Sequence, residues 1–386
     1  MRRPAADPGP LARRRTAARA AVIITPVSDR ENVPLAPLTT LGLGGPARRL
    51  VEAWVPTHAV EEVRRADREG EPLLILAGGS NVVIADSGFP GTVLHLMFSG
   101  FDARYSRSGT PRTGSKRVEL RVAAGHPWDE VVEWAVDEGI AGVECLSGIP
   151  GSCGATPIQN VGAYGQEIAE TVVSVSAYDR VLGEIVDLAP AECGFGYRTS
   201  VFKRTSRYLV LEVTIALSVG ESAPIRYPEL ARELGLDVGD TVSPIAPVRD
   251  AVLTLRGEKG MLVRDDDPDA ASAGSFFTNP VLSEAEFAAL ERRAAEHEPS
   301  DGPPRFPAGE GRVKTSAAWL IEHAGFGRGY GEGAIGLSSK HPLAIVNRGG
   351  GTTAELVELA RTLRDGVRER FGVELVPEPV LVGAEL

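Results

Sequence analysis

Apolar positions along this chain follow a helical period in some segments and a strand period in others. Residues 57–69 carry helical spacing that ends at Gly70, and a second helical stripe lies at 128–136. The polar segment 106–117 is typical of an exposed loop. Short β-branched and apolar runs predict strands at 72–77, 92–96, 118–122, 172–178 and 208–217. Strands and helices therefore alternate after residue 30, which predicts a mixed fold of the α+β or α/β class.

The second half of the chain carries the clearer helix signals. Two capping boxes, at 283–286 and 352–355, predict the starts of two helices, and residues 316–324 predict a shorter helix. A Gly- and Pro-containing break at 220–224 precedes this more helical half. We predict two domains after the N-terminal segment, 31–220 (with lobes of about 31–97 and 98–220) and 221–386.

The N-terminal segment superficially resembles a signal peptide, because Arg13–Arg15 precede an apolar stretch. Arg19 interrupts that stretch, however, and Pro26 and Asp29 soon follow it. We interpret residues 1–30 as a disordered extension or the result of an upstream start, and we expect a cytoplasmic protein.

Composition excludes several classes of function. A net charge of −11 over 386 residues argues against general nucleic-acid binding, which needs a basic surface. No apolar run approaches the roughly 20 residues that span a bilayer, so we expect no membrane insertion. The three cysteines lack CxxC spacing and the six histidines are scattered, so neither a disulfide framework nor a metal site is predicted.

The first of two glycine-rich stretches, Gly78–Asn81, lies between two strand-like runs. A dinucleotide fold of the Rossmann type would need a helix after its glycines, so that fold is disfavoured. Two interpretations stay open for this stretch alone. Its backbone N–H groups, with Ser80 and Asn81, hold a pyrophosphate, or it is an ordinary hairpin turn.

The second stretch, residues 148–165, is long, uncharged and partly apolar. Ordinary surface linkers are polar, and long ordered loops are usually functional, so we favour a buried wall around a flat ring over a structural loop. Gln159 and Asn160 would supply amide groups to that ring. Together the stretches predict a dinucleotide cofactor held by Gly78, Gly79, Ser80, Asn81, Gly148, Gly151, Gly154, Ala155, Gln159, Asn160, Gly162 and Ala163.

Polar residues in apolar surroundings are candidates for chemistry. Arg198 lies in a mixed apolar segment, where it either clamps an anion or forms a structural ion pair. Ser275 has neither a Gly-x-Ser-x-Gly motif nor a histidine nearby in the sequence. It is therefore a proton donor or a turn serine rather than a nucleophile. Glu378 is held between two prolines, and His341 precedes a strand where it could meet a phosphate or a base.

Seven segments, taken in order, resemble the UDP-N-acetylenolpyruvoylglucosamine reductase family and cover nearly all of residues 31–383. They are Thr39–Gly45, Ala77–Asn81, Gly148–Gly165, Tyr197–Lys203, Gly274–Pro280, Ala317–Glu322 and Pro377–Pro379.

The resemblance implies an α+β fold, with an FAD-binding domain of the vanillyl-alcohol-oxidase (PCMH) type followed by a family-specific α/β substrate domain. It implies non-covalent FAD, NADPH as reductant, and UDP-N-acetylglucosamine enolpyruvate as the substrate that is reduced to UDP-N-acetylmuramate in peptidoglycan synthesis. It places Arg198, Ser275 and Glu378 at the three catalytic positions. It further implies substrate contacts at Tyr227, Lys259 and Asn279, with Tyr227 on the tyrosine loop of one subclass. We add His341 to the expected substrate contacts because of its position before a strand. We expect a monomer.

This chain departs from the family pattern at Thr278, where lysine is frequent, and at Pro379, where valine is usual. Residues 1–30 and the segment 298–311, which we expect to be a Pro- and Gly-rich loop, also go beyond the pattern. Two alternatives stay open: another FAD oxidoreductase on the same scaffold, acting on an alcohol or sugar, and a non-catalytic flavin- or nucleotide-sugar-binding protein.

Overall fold

A computed structural model describes residues 28–108, 115–297 and 302–386. Of the N-terminal segment 1–30, residues 1–27 lie outside the described residues, and residues 28–30 belong to the first strand. Residues 298–301 also lie outside the described residues. The helices in the described ranges are α1 (Pro56–Glu69), α2 (Trp128–Asp137), α3 (Pro228–Leu234), α4 (Ala246–Glu258), α5 (Glu284–His297), α6 (Ala317–His323) and α7 (Thr353–Phe371).

The strands are mostly short. They are β1 (Ser28–Pro34), β2 (Pro46–Ala53), β3 (Leu73–Leu76), β4 (Val82–Ile84), β5 (Phe89–Leu96), β6 (Phe101–Ser108), β7 (Ser115–Ala123), β8 (Ile140–Ala141), β9 (Gly162–Ala163), β10 (Gln166–Glu167), β11 (Val172–Asp179), β12 (Glu184–Leu188), β13 (Tyr208–Val219), β14 (Ser272–Ser275), β15 (Val281–Ser283), β16 (Phe306–Pro307), β17 (Arg312–Lys314), β18 (Ile335–Leu337), β19 (Ala344–Asn347) and β20 (Val380–Val382).

Helix ends follow the sequence signals. Helix α1 ends where Gly70 adopts the left-handed conformation. Helix α7 begins at a complete capping box between Thr352 and Glu355. Ser283 and Glu286 form the same reciprocal pair of hydrogen bonds before α5. The predicted apolar stripe of α2 is buried along its whole length. These four predictions are confirmed.

The N-terminal sheet has the strand order β1-β2-β5-β3, with β2, β5 and β3 parallel. The first glycine-rich stretch joins β3 to β4, but these two strands do not pair with each other. Strand β4 pairs in parallel with β20 at the end of the chain. The hairpin interpretation of Gly78–Asn81 is therefore wrong, and the stretch is a loop between two separate sheets.

A second sheet is antiparallel, with the order β12-β11-β13-β7-β6 and β8 added beside β13. Strands β6 and β12 were not predicted from the sequence. Strand β12 is an edge strand in which only Leu188 is buried, so it lacks a strong apolar signal. The predicted loop 106–117 is shorter than expected, because β6 and β7 extend into it and only 109–114 lie outside the described residues.

The C-terminal region packs helices α5, α6 and α7 around two small three-stranded sheets, β14-β19-β18 and β15-β17-β16. Strand β16 lies inside the segment expected to be a loop, 298–311. Within the described ranges, no helix is both long enough and apolar enough to cross a bilayer.

Contacts cross the proposed domain boundary near residue 220 in several places besides the pairing of β4 with β20. Leu41, Leu43 and Val83 belong to the same apolar cluster as the C-terminal helices. Arg249 of α4 forms an ion pair with Asp129 of α2, with 2.7 Å between Nη1 and Oδ1. The division into 31–220 and 221–386 stays a prediction. Residues from both sides of this boundary line one cavity, which is described below.

Candidate active site

A cavity of about 300 Å³ collects residues from distant parts of the sequence. Arg198, Ser275 and Glu378 all line it. The first glycine-rich stretch contributes Gly78–Asn81 to one wall. The second stretch contributes several residues, among them Ala155, Gln159, Gly162 and Ala163. The three predicted catalytic residues and eight of the predicted cofactor residues thus meet in one place.

Backbone hydrogen bonds bring Ser275 and Glu378 to the same side of the cavity. The Glu378 N–H donates to the carbonyl of Phe276 at 2.9 Å, and the Phe276 N–H donates to the carbonyl of Leu343 at 2.7 Å. The Val380 N–H donates to the carbonyl of Asn81 at 3.0 Å. The glutamate segment is therefore attached both to the serine strand and to the first glycine-rich stretch.

Glu378 forms an ion pair with Arg198, whose Nε lies 3.4 Å from Oε1. Arg198 also donates from Nη2 to the Gly162 carbonyl at 2.7 Å, and its own carbonyl accepts from Lys203 Nζ at 2.9 Å. Burial raises the pKa of Glu378, although the charges of Arg198 and Lys203 act in the opposite direction. The protonated form of the Glu378 carboxyl group is therefore favoured more than in a free glutamate. Pro379, the next residue, does not prevent the ion pair between Glu378 and Arg198.

Ser275 ends strand β14, where the ladder with β19 is irregular between Ser272 and Ser275. Gly274 adopts φ +74° at this irregularity, a conformation that favours glycine. The Ser275 Oγ lies 3.1 Å from His341 Nε2. This histidine lies 66 residues further along the chain, so the neighbouring sequence of Ser275 gave no sign of it.

Four predicted cofactor residues do not line the cavity. A Cβ at Gly148, Gly151 or Gly154 would meet Leu262, Ser80 or Ala124 at 2.6 Å or less. These glycines allow the second stretch to pack closely against its neighbours. The fourth residue, Asn160, is buried, and its amide group is bonded to Glu167, the Gly196 carbonyl and the Ala169 N–H. In the structure, these four residues support the wall that the second glycine-rich stretch forms on the cavity.

The predicted substrate residues Tyr227 and Lys259 lie together, outside the cavity lining. Tyr227 contacts Tyr164 edge to face, with ring centroids 5.5 Å apart. Lys259 Nζ lies 5.6 Å from the Tyr164 ring centroid and forms an ion pair with Glu229.

Asn279, the third predicted substrate residue, also lies outside the cavity lining. Its side-chain oxygen accepts the Ala317 N–H at 2.9 Å, so this oxygen holds the start of α6.

Arg256 is a cavity residue that was not predicted from the sequence. It is 8 % exposed, it donates from Nη2 to the Met261 carbonyl at 2.8 Å, and its Nε is buried without a hydrogen-bond partner. Burial lowers the pKa of this guanidinium. Its position on the apolar face of α4, beside Val252 and Leu255, was the available signal. A buried cation with a free donor favours an anion from outside the chain.

The structure also places the cysteines and the side chains that could ligate a metal. Among the described residues, no group of three or more His, Cys, Asp or Glu side chains is placed to hold a metal ion. Cys145, Cys153 and Cys193 are buried and free.

Comparisons with known proteins agree with this arrangement. Residues 49–189 match the family described as an FAD binding domain. Residues 266–382 match the family described as UDP-N-acetylenolpyruvoylglucosamine reductase, C-terminal domain. A crystal structure of UDP-N-acetylenolpyruvylglucosamine reductase from Thermus caldophilus has the same fold, with a TM-score of 0.59, 24% identity, and 92% of this chain and 99% of that chain covered. The expected α+β class with an FAD-binding domain is confirmed.

Curated relatives carry the same name at much higher identity. The UDP-N-acetylenolpyruvoylglucosamine reductase of Thermobifida fusca is 56% identical over 93% of this chain and 99% of its own length. That of Streptomyces coelicolor is 53% identical over 94% of this chain and 92% of its own length. This chain belongs to the UDP-N-acetylenolpyruvoylglucosamine reductase family.

Proposed function

We propose that this chain reduces the enolpyruvyl group of UDP-N-acetylglucosamine enolpyruvate to form UDP-N-acetylmuramate, a step of peptidoglycan precursor synthesis. FAD is the bound cofactor and NADPH is the reductant. The observation that carries the proposal is the meeting of Arg198, Ser275 and Glu378 in one cavity of a chain of this family. A monomeric state and a cytoplasmic location are parts of the same proposal.

The cavity fits a diphosphate-bearing cofactor. Gly79 has φ +59°, and a Cβ there would lie 1.8 Å from the Leu38 carbonyl oxygen. Such close packing leaves the backbone N–H groups of the first stretch accessible to an anion. The unpartnered Nε of Arg256 supplies a cation on the same cavity. We assign cofactor contacts to Gly78–Asn81, Ala155, Gln159, Gly162, Ala163 and Arg256.

Non-covalent binding is supported by the cavity lining. Neither glycine-rich stretch contains a histidine, and Cys153 in the second stretch is completely buried behind the wall. Bound in this cavity, FAD would supply the hydride chemistry that links NADPH to the vinyl carbon of the enolpyruvyl group.

Arg198 and Glu378 stabilise the charge that develops on the substrate. Hydride addition leaves negative charge on the α-carbon and the adjoining carboxylate. The Arg198 guanidinium, held by the Gly162 carbonyl, polarises that carboxylate. Burial raises the pKa of Glu378, and we assign this carboxyl group to stabilisation of the enol form.

Ser275 donates the proton that completes the reduction. Its hydroxyl lines the cavity and is aimed by the irregular end of β14. A serine hydroxyl is a weak acid, but the enolate carbon is a strong base. We assign Tyr227, Lys259, Asn279 and His341 to the substrate side of the site, with Tyr227 closing over the nucleotide-sugar. Tyr227 is 42 % exposed, and its contact with Tyr164 brings it to the second glycine-rich stretch.

Anaerobic half-reactions test the proposed function directly. We expect NADPH to bleach the flavin of the purified protein and the enolpyruvyl nucleotide-sugar to restore its absorbance. Acid precipitation should leave the flavin in the supernatant, as for a non-covalent cofactor. A reduced flavin that oxygen reoxidises but the nucleotide-sugar does not would contradict the proposal.

Gly79→Ala should weaken FAD binding by roughly tenfold or more, since a Cβ there displaces the Leu38 backbone that supports the first stretch. Gly70→Ala is the matched control, because Gly70 has φ +64° but no neighbour within 4 Å of the place that an added methyl group would take. The control should lose stability and keep its affinity for FAD. Titration of each apoprotein with FAD measures the two affinities. Equal affinities of the two variants for FAD would refute the assignment of Gly79.

Arg198→Lys should lower kcat/KM by roughly 10²- to 10³-fold, although the charge is kept. Lysine lacks the planar guanidinium with which Arg198 can contact the Gly162 carbonyl and a substrate carboxylate at the same time. Arg204→Lys is the control, since Arg204 shares the positive φ and the same loop but is exposed. Similar steady-state kinetics for both variants would assign Arg198 to a structural ion pair.

Ser275→Ala should separate the two half-reactions. Reduction by NADPH should keep its rate, and reoxidation by the substrate should slow by roughly 10²- to 10⁴-fold, as for loss of a positioned proton donor. Ser275→Cys should restore part of the rate, because a thiol also donates a proton. Stopped-flow absorbance of the flavin measures both steps, and equal slowing of both would make Ser275 a residue that supports the fold.

A further inference from the structure

The hydroxyl proposed as proton donor has a fixed partner. Ser275 Oγ and His341 Nε2 are 3.1 Å apart, and Ser275 pairs with Ala344 in the ladder of β14 and β19. His341 lies in the turn that connects β18 to β19. The two side chains are therefore supported by adjoining strands of one sheet.

Hydrogen bonds on several sides fix the turn that carries His341. The Ser338 Oγ accepts the N–H groups of Lys340 and His341, at 3.0 and 3.1 Å. Lys340 Nζ lies 2.7 Å from a carboxylate oxygen of Asp267, and the neighbouring Ser339 hydroxyl is bonded to Asp269. Such a turn holds the imidazole against Ser275 rather than leaving it to sample other positions.

The surroundings of His341 favour the neutral form of the imidazole. Burial lowers the pKa of His341 to about 4, and the nearby charges of Lys259, Arg328 and Arg256 act in the same direction, while Glu229 opposes them. A neutral imidazole carries one N–H donor and one acceptor nitrogen. It can therefore give a proton from one nitrogen and take another at the second.

We propose that His341 is a proton relay that resupplies Ser275 during reduction of the substrate. The Ser275 Oγ–H bond breaks as its proton forms the new C–H bond at the α-carbon. The His341 Nε2–H proton passes to the serine oxygen, and Nδ1 takes one proton from solvent water. The sum is one proton from water to the substrate carbon. The hydroxide left in solvent takes over the negative charge of the enolate, and His341 stays neutral with its proton now on Nδ1, from which exchange with solvent restores the Nε2–H form. The His341 side chain is only partly buried, so water can reach the ring.

This inference rests on the proposed function but goes beyond it, since the sequence analysis expected only a substrate contact for His341. Two lesser roles make different predictions. If the histidine only orients Ser275, any residue that donates a hydrogen bond to Oγ will serve. If it only fills space, the exchange of its protons with solvent will not matter.

His341→Gln and His341→Ala distinguish these roles in the flavin-loaded enzyme. Glutamine can donate a hydrogen bond to Ser275 but cannot relay a proton. We expect both variants to be reduced by NADPH at the normal rate and to be reoxidised by the substrate roughly 10²-fold more slowly. Added imidazole should restore part of the rate of the alanine variant. His58→Gln is the matched control, because it makes the same substitution on α1, outside the cavity lining, and it should keep both rates near those of the wild type.

A proton inventory in mixtures of H₂O and D₂O gives a readout that a structural role would not change. Reoxidation of the wild type should show a curved dependence on deuterium fraction, because two protons move together, and the glutamine variant a linear one. Adding His341→Gln to Ser275→Ala should slow the reaction no further.

Several results would overturn the relay. These are wild-type reoxidation in the glutamine variant, equal slowing of both half-reactions, and a linear inventory in the wild type. A wild-type enzyme whose reduced flavin the enolpyruvyl substrate cannot reoxidise would instead overturn the proposed function, so the two failures are distinguishable. The flavin content per chain verifies that each variant folds. If the alanine variant loses FAD, the comparison of the glutamine variant with the wild type still tests the relay.

Discussion

The hydrogen bond from the Glu378 N–H to the Phe276 carbonyl is the contact on which the rest of the site depends. Through it, the last segment of the chain joins the strand that carries Ser275. The next bonds along this path connect Phe276 to Leu343 and Val380 to Asn81. A displacement of any one segment would therefore shift the acid, the proton donor and the first glycine-rich stretch together. Pro379 follows Glu378 without disturbing this path, because the bond that matters uses the N–H of Glu378 itself.

Electrostatics explain how an acidic protein can hold anionic ligands. The chain as a whole carries −11, yet Arg198, Lys203 and Arg256 line the cavity, and among its described lining residues only Glu378 offers a carboxylate. Burial lowers the pKa of Lys203 and Arg256 and raises that of Glu378, so each charged form is costly without a ligand. A diphosphate or carboxylate that enters the cavity relieves the cost at the cations. The local excess of positive charge thus complements the predicted ligands despite the acidic surface.

Sequence signals predicted the parts of the molecule that depend on near neighbours. The capping boxes of α5 and α7 and the apolar stripe of α2 are local patterns, and each was found in place. Edge strand β12 has one buried residue and gave no such pattern. Glycines were harder to interpret, because Gly79 and Gly154 both pack closely against neighbours, yet only Gly79 lines the cavity. A sequence alone does not say which neighbour excludes the missing Cβ.

The pairings that matter for chemistry were predictable only in part. Resemblance grouped Arg198, Ser275 and Glu378, but nothing local indicates that His341 lies beside Ser275, because the contact arises from pairing of β14 with β19. Arg256 was missed for a different reason. An arginine in the last turn of a helix is ordinary, because its positive charge interacts favourably with the helix dipole. Its place on the buried face of α4 and its buried Nε, which has no hydrogen-bond partner, identify it.

Backbone strain at the cavity follows from the same requirement for close approach. Tyr164 and Arg198 have φ of +47° and +53°, which for residues other than glycine costs about 1–2 kcal/mol each. Each is held in that conformation by neighbours. Lys203 bonds the Arg198 carbonyl, and Tyr227 packs on the Tyr164 ring. In an extended conformation, the chain at Arg198 would aim the guanidinium away from the Gly162 carbonyl and Glu378. Lys203 thus acts on the site through the backbone of Arg198, and the strain it maintains fixes the direction in which the guanidinium meets a substrate carboxylate.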